Sequence, residues 1–417
     1  MSENVYDVLK QRGFIAQVSD EEAVRHMLGG EQVTFYIGYD STAASLHAGS
    51  LVPIMAMLHL QRAGHRPIAV VGGGTTMVGD PSGKSEMRQM LDEAAIRANG
   101  RAIHAQLNRY LHFDAGQALA VDNADWLLPL NYVQFLREIG VHFSVNRMLA
   151  AEAYRQRLEK GLSFIEFNYQ LLQAYDFLTL YREHGCTLQM GGDDQWGNIL
   201  AGVDLIRRVA GADVQAMTFP LLTTSAGAKM GKTAAGAVWL DAERLSPYDF
   251  YQYWINCDDQ DVERFLKIFT FLPMDEVARL GALEGSDIRE AKRALAFEAT
   301  CITHGERAAQ EAQAATQAVF GPEGRREAGS GGDLDAMPTT AIPADRLAEG
   351  VNPIDLFAEV GLVRSKSDAR RLIQQGGMYV NDERIESVEH VLTDADLTPD
   401  GILLRAGKKK YHRVIVE

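Results

Sequence analysis

Tyr169, Gln173 and Asp176 stand at positions i, i+4 and i+7. That spacing puts three polar side chains within about 60° of one another on one helix face. Their neighbours Leu171, Leu172, Ala174, Phe177, Leu178 and Leu180 are apolar nearly all round, so the segment reads as a buried helix. A carboxylate and an amide buried without partners would cost about 1–3 kcal/mol each. Such a stripe calls for a ligand that brings donors and acceptors of its own. Ser163 and Glu166 form a capping box that predicts where this helix begins.

Two further groups carry chemistry. The apolar run Val33 to Tyr39 reads as a strand and continues as Asp40-Ser41-Thr42-Ala43-Ala44-Ser45-Leu46-His47-Ala48-Gly49-Ser50. A helix is expected from Ser50 to Ala63, closed by Gly64. A polar loop joining strand to helix is expected to present free backbone N–H groups, an anion site. His47 lies just ahead of the helix, and Gly49 removes a side chain where a base or sugar would approach. Further on, Ala228-Lys229-Met230-Gly231-Lys232-Thr233 places two lysines three apart on a glycine loop, which suits a polyphosphate. Taken singly, the histidine also suits a structural turn, and the lysines a solvated surface.

These groups need a frame. Pro67 to Val71, Leu188 to Met190 and Met217 to Leu222 are the further predicted strands, alternating with helices. That order predicts an α/β fold, a Rossmann-like doubly wound parallel sheet with ligands at the carboxyl ends of its strands. From Ser246 to about Phe320 the pattern turns helical, with Tyr248, Phe250, Tyr251, Tyr253, Trp254, Phe265, Leu266 and Phe269 as core candidates. Gly321 to about Pro343 is rich in Gly, Pro, Ala, Asp and Glu and reads as a linker. Asn352 to Glu417 regains periodicity as a small domain. The expected organisation is a doubly wound α/β part over 1–222, the lysine loop and helical part over 223–320, a linker over 321–350 and a small α+β domain over 351–417.

Composition bounds the function. With 417 residues, 46% of them hydrophobic and 23% charged, the chain is an ordinary globular one of several domains. A formal charge of −15 argues against a non-specific nucleic-acid coat. Three widely spaced cysteines, Cys186, Cys257 and Cys301, fit a reducing cytoplasm and argue against a structural zinc site; no metal-ligating set is expected. No secretory leader or bilayer-spanning run is read, so no membrane partner is expected.

Rival readings fail on residues. Gly79-Asp80-Pro81-Ser82-Gly83-Lys84-Ser85 would be a P-loop if position 78 were glycine, but it is Val78; the lysine loop fails likewise at Ala226. Gly72-Gly73-Gly74 does not continue into the dinucleotide fingerprint. A non-catalytic RNA-binding protein would require an eroded catalytic set, and nearly all of the set stands.

The two loops together resemble the paired signatures of class I aminoacyl-tRNA synthetases. The resemblance narrows to the bacterial-type tyrosyl-tRNA synthetases through Phe35-Tyr36-Ile37-Gly38-Tyr39-Asp40, Gly79-Asp80-Pro81-Ser82, Asn168 to Asp176 and Gly191-Gly192-Asp193-Asp194-Gln195-Trp196-Gly197-Asn198. It implies that Tyr36 and Asp176 hold the substrate phenol, and that Asp40 lies close to the bound substrate and nucleotide. Asp80, Tyr169 and Gln173 would hold the ammonium, and Gln195 would lie near the carboxylate. Phenylalanine would then leave buried groups unpaired; tyrosine-against-phenylalanine selectivity in this family is itself the general model for that effect. The resemblance also implies ATP, as its Mg2+ complex and with no tightly bound cofactor, at His47, Gly49, Ser50, Gly192, Asp194, Lys229 and Lys232. Thr42, His47, Lys84, Arg88, Lys229 and Lys232 would stabilise the departing pyrophosphate. Transfer of tyrosine to tRNA(Tyr) would follow.

Two positions depart from the family pattern. Ser50 stands where a histidine or another polar residue is usual, and Ser41 replaces a common proline, which is expected to loosen the loop's entry. The carboxyl-terminal part resembles a small RNA-binding module. Its candidate tRNA contacts are Arg364, Lys366, Arg370 and Arg371 on a short helix and Lys408, Lys409 and Lys410 near the end, with a hairpin turning at Asn381-Asp382. A homodimer is also implied, with Val133 to Val145 as its candidate interface.

Overall fold

Five short apolar runs make the sheet on which the site is built. In the computed structural model, which describes residues 3–82, 91–150, 152–159, 161–233, 236–320, 337–407 and 410–417, they are β1 (Thr34–Asp40), β2 (Arg66–Gly72), β3 (Leu119–Asp122), β4 (Cys186–Gly192) and β5 (Gln215–Phe219). All are parallel, in the order β3-β2-β1-β4-β5. The chain winds away from β1 on one side and returns through β4 on the other, so a crevice opens at their carboxyl ends. Tyr36 on β1 is in register with Ile68 on β2 and Gln189 on β4.

The sequence reading missed β3. Its four residues form a half-buried edge strand, too short for an apolar run to show. Other boundaries move by one to three residues. The first helix begins with a 3-10 turn, Ala48–Ser50, before α1 (Leu51–Arg62); then come α2 (Gly73–Val78), α3 (Glu93–Leu107), α4 (Phe164–His184) and α5 (Trp196–Ala210). Gly72-Gly73-Gly74 does end β2, and it also opens α2, where Gly73 and Gly74 allow close approach to Asp122 and Leu127.

The helix α4 starts as its capping box predicts: Ser163 Oγ accepts from the Glu166 N–H, and Glu166 accepts from the Ser163 N–H. The Arg157 guanidinium, also buried, bridges to Glu166 at 3.1 Å. Burial raises the Glu166 carboxyl, but hydrogen bonds from Arg157 and Ser163 outweigh it and hold the group below its ordinary range.

The edge of β5 is covered. Ala16 and Ser19 donate to the carbonyls of Thr218 and Ala216, and Thr218 donates back to Gln17. Gln17 also sends its side-chain amide to Asp193 Oδ1 at 2.7 Å.

The chain divides into two compact units, Met1–Arg244 with Cys257–Ala291, and Leu245–Asn256 with Lys292–Glu417. The helical stretch expected over 246–320 is thus shared between them. Helices Val262–Phe269 and Met274–Gly281 lie in the first unit. There Arg12 donates to the carbonyls of Lys267, Thr270 and Leu272 and closes the end of the former helix.

In the second unit, helices Pro247–Ile255 and Glu306–Phe320 pack with a five-stranded sheet through Tyr248, Ala315, Met337, Leu403 and Tyr411. That sheet comprises β8 (Thr339–Ile342), β9 (Met378–Val380), β10 (Glu383–Arg384), β11 (Ile402–Ala406) and β12 (Lys410–Val416); β6 (Lys232–Thr233) and β7 (Gly236–Ala237) form a separate hairpin in the first unit. Asn381 and Asp382 turn the β9–β10 hairpin at φ of 46° and 64°, the conformation a tight primed turn demands. Within the expected linker, 321–336 fall outside the described residues. Thr339–Ile342 is a strand paired with β12, and Ala344–Ala348 is a helix, because alternating Thr, Ala and Ile give an edge that β12 can pair.

Candidate active site

The polar stripe of α4 faces β1. Tyr36, Leu171, Ala174 and Phe177 share one buried cluster, and the Tyr36 and Phe177 rings are 5.5 Å apart. The Tyr36 hydroxyl is buried with no partner among the described residues. Burial raises its pKa well above that of an ordinary phenol, and the charge of Asp176 raises it further, which places the two groups in each other's field.

Asp176 has two donors already. Asn123 Nδ2 reaches Oδ2 at 2.9 Å, and Trp126 Nε1 reaches Oδ1 at 2.7 Å. Asn123 is oriented in turn: its oxygen accepts from the Gly74 and Thr75 N–H groups, and its amide also donates to Thr75 Oγ1. Burial pushes the Asp176 carboxyl up to about 7, against the pull of the Asn123 and Trp126 donors, with Asp122 and Asp40 adding repulsion. Asn123, Trp126 and Thr75 were not singled out from sequence. Asn123 follows β3, and without that strand nothing marked it.

The other end of the stripe meets carboxylates. Tyr169 donates to Asp40 at 3.4 Å. Asp80 is buried at the end of α2, accepting from the Ser82 N–H at 2.9 Å and from Gln195 Nε2 at 2.7 Å. Gln195 is braced by Asn198, which also donates to Ser82. Gln173 Oε1 is buried without a partner among the described residues. One end therefore offers a hydroxyl and a carboxylate, and the other two carboxylates with amide oxygens. That set fits a molecule with a donating hydroxyl at one end and a cation at the other.

At the mouth of this pocket the two signature loops meet. His47 caps the 3-10 turn by accepting from the Gly49 N–H at Nδ1, 3.0 Å, so the neutral ring carries its proton on Nε2. The Ala48 N–H donates to Val238 and the Ser50 N–H to His47. These three N–H groups, of Ala48, Gly49 and Ser50 and expected to be free for an anion, are therefore used within the protein. A Cβ on Gly49 would lie 2.9 Å from the Met230 carbonyl, and one on Gly231 2.6 Å from the Gly49 nitrogen. Gly231 also has φ of +78°. Two glycines let the loops touch backbone to backbone.

Ser41 corrects a second expectation. Its N–H donates to Thr76 Oγ1 and its carbonyl accepts from Asn99 Nδ2, both at 2.9 Å. Gln106 then grips Ser45 and Leu46. The loop entry is pinned by these hydrogen bonds. Ser50 makes no side-chain cap.

Thr42 is exposed on this loop, and Lys229 on the facing one. Gly192 and Asp194 lie at the end of β4, where a Cβ on Gly192 would meet Asp194 Oδ1 at 2.8 Å. The backbone of Lys232 pairs with Ala237 in β6–β7; its side chain, with Lys84 and Arg88, lies outside the described residues, as do Lys408 and Lys409. In the second unit Arg364, Lys366, Arg370, Arg371 and Lys410 are exposed. Lys366 pairs with Asp355 at 2.9 Å, and Arg371 with Asp368.

Comparison with known proteins adds to this geometry. The family model for class I tRNA synthetases (W and Y) matches residues 29–321, and the tyrosine–tRNA ligase SYY-like C-terminal domain matches 333–414. A tyrosine–tRNA ligase of Clostridium botulinum (strain 657 / Type Ba4) is 56% identical over 415 residues, 99% of this chain and all of the relative. One from Clostridium tetani is 54% identical over the full length of both. Among solved structures, a C-terminally truncated mitochondrial tyrosyl-tRNA synthetase of Aspergillus nidulans superposes with a TM-score of 0.70 at 29% identity, over 76% of this chain and 95% of its own.

Proposed function

The chain belongs to the class I tRNA synthetases, in the tyrosine–tRNA ligase family, and from that membership we propose how its pocket divides the work. As a tyrosine–tRNA ligase it activates L-tyrosine with ATP, releasing pyrophosphate, and transfers the tyrosyl group to the 3′ end of its tRNA. Tyr36 and Asp176 take the substrate phenol: the hydroxyl donates to the carboxylate and accepts from Tyr36. Asp80, Tyr169, Gln173 and Asp40 take the ammonium end, and Gln195 lies by the carboxylate. The observation that carries this reading is the buried Tyr36 hydroxyl, lacking a partner among the described residues, beside a carboxylate held ready by Asn123 and Trp126.

In the first step a tyrosine carboxylate oxygen attacks the α-phosphorus of ATP. The new P–O bond forms as the bond to the β-phosphate bridging oxygen breaks, and pyrophosphate leaves with that electron pair. No protein nucleophile takes part. Thr42, the Nε2–H of His47, Lys84, Arg88, Lys229 and Lys232 stabilise charge on the leaving group, while Gly49, Ser50, Gly192 and Asp194 seat the nucleoside. ATP enters as its Mg2+ complex, with no tightly bound cofactor.

For the second step the partner is tRNA(Tyr), met by Arg364, Lys366, Arg370, Arg371 and Lys408 to Lys410. Along the chain, 1–222 serves catalysis, 223–320 the lysine loop and anticodon side, 321–350 connects, and 351–417 binds RNA. A homodimer is supported by the exposed apolar side chains of Tyr132, Val133, Val141 and Val145. A cytoplasmic setting is supported by three free cysteines. The deciding experiment is tyrosine-dependent exchange of labelled pyrophosphate into ATP, with phenylalanine as control. Folded protein that gives no exchange removes the reading.

A further inference from the structure

The roles above leave a buried carboxylate unused. Asp261, 2% exposed, stands at the start of the Val262–Phe269 helix. It is aimed at the connecting turn of the lysine loop. The Ser225 N–H reaches its two oxygens at 3.1 and 2.9 Å, and Ser225 Oγ reaches Oδ2 at 3.1 Å. Arg264, one turn along, donates to Asp261 Oδ1 at 2.6 Å and to the Thr223 carbonyl at 2.5 Å. The buried acid and its arginine thus grip Ser225 and Thr223, two residues apart on the same loop. A solvated turn needs no such anchor, since water satisfies its backbone.

The grip extends to the lysine. Thr223 is bridged to Lys229, the Met230 N–H donates to Leu222, and the Thr224 N–H donates to Ala228. These bonds make the loop a short hairpin whose position follows that of Ser225. At its far end the Val238 N–H donates to Gly231, and Val238 accepts from Ala48 beside His47. The hairpin is held at its connecting turn by Asp261 and at its open end against the His47–Gly49 turn.

We propose that Asp261 is a positioning residue for tyrosine activation, gripping Ser225 so that the hairpin presents Lys229 to the triphosphate of ATP. The proposal rests on the reading that Lys229 touches ATP. Asparagine has one acceptor oxygen, and its amide would face the Ser225 donors, so Asp261→Asn keeps the shape and loses the grip. It leaves the tyrosine pocket untouched.

The test uses the full-length protein in three measurements: tyrosine Kd without ATP, and KM for ATP and kcat in tyrosine-dependent pyrophosphate exchange. Asp261→Asn is expected to lower kcat/KM for ATP by about 10- to 100-fold, with tyrosine Kd unchanged within about twofold. Arg264→Ala, at a part-exposed position, is expected to lose about three- to tenfold in the same parameter and serves if Asp261→Asn does not fold. Asp261→Asn combined with Lys229→Ala is expected to be no worse than the poorer single variant, because both remove one contribution. The proposal is overturned if ATP kinetics stay within about twofold of the parent in the folded clamp variants, if tyrosine Kd shifts as much as KM for ATP, or if the losses multiply. A Lys229→Ala enzyme with unaltered ATP kinetics removes that lysine's assignment and this proposal with it. The tyrosine pocket is judged separately, by whether exchange still requires tyrosine.

Discussion

Trp126 donates its indole N–H to Asp176 at 2.7 Å, from a helix turn that immediately follows the short strand β3. With Asn123 on the other oxygen, it holds the carboxylate in place and keeps it ionisable in a site that burial would otherwise neutralise. Trp126→Phe keeps an aromatic body and removes the donor. A hydrogen bond to a charged group contributes about 1.5–3 kcal/mol, so KM for tyrosine is expected to rise about 10- to 100-fold. KM for ATP in the same exchange assay should stay near its parent value.

The pH dependence follows from Asp176, whose carboxyl lies at about 7 when folded against about 3.9 in an unfolded chain. Between those values the folded state binds the extra proton, so this group's contribution to stability falls as pH rises from about 4 to 7 and is flat above. The full penalty is about 4 kcal/mol. With Asp176 as the proposed acceptor of the substrate phenol, tyrosine binding needs the ionised form, so Kd for tyrosine should tighten as pH rises through about 7. In Asp176→Asn, chemical denaturation across that range should lose this slope, and tyrosine affinity should be weak at every pH.

Gly231→Ala tests the contact between the signature loops. The added Cβ would meet Gly49 N at 2.6 Å and His47 Nδ1 at 2.7 Å, at a residue with φ of +78°. Strain of about 1–3 kcal/mol is expected to move the loop away. Adenylate formation in single turnover should slow by about 10- to 100-fold while tyrosine Kd holds.

Breaking the buried pair at the head of α4 should cost stability. Arg157→Met leaves Glu166 charged and buried with Ser163 alone as partner among the described residues, a loss of about 3–5 kcal/mol. Urea unfolding monitored by tryptophan fluorescence would measure it.

Replacing Arg364 and Arg370 together by alanine should raise KM for tRNA severalfold and flatten its salt dependence, because phosphate contacts release counterions. Pyrophosphate exchange, which needs no tRNA, should be unaffected.

Much of the sheet and the stripe was legible because period and burial agree. Val33–Tyr39 is apolar in succession as a central parallel strand must be, and Tyr169, Gln173 and Asp176 break an otherwise apolar helix on one face only. What stayed hidden depends on tertiary partners. Asn123 and Trp126 sit beyond a four-residue strand with no periodic signal, and their role exists only because α4 brings Asp176 beside them. The N–H groups of Ala48 and Gly49 looked available, since the sequence gives no sign that Val238 and the His47 ring would claim them. Ser41 looked looser than proline because Asn99 and Thr76, distant in sequence, supply the restraint.

The Gln17 amide that reaches Asp193 ties the first twenty residues to the turn bearing Asp194 and Gln195. Trimming the chain to begin at β1 would act twice, unsealing a sheet margin open to self-association and slackening the turn that bears Asp194, the proposed nucleotide contact. Expression tags are therefore better placed at the opposite terminus, and an N-terminal deletion that looks peripheral should register first as poorer ATP use.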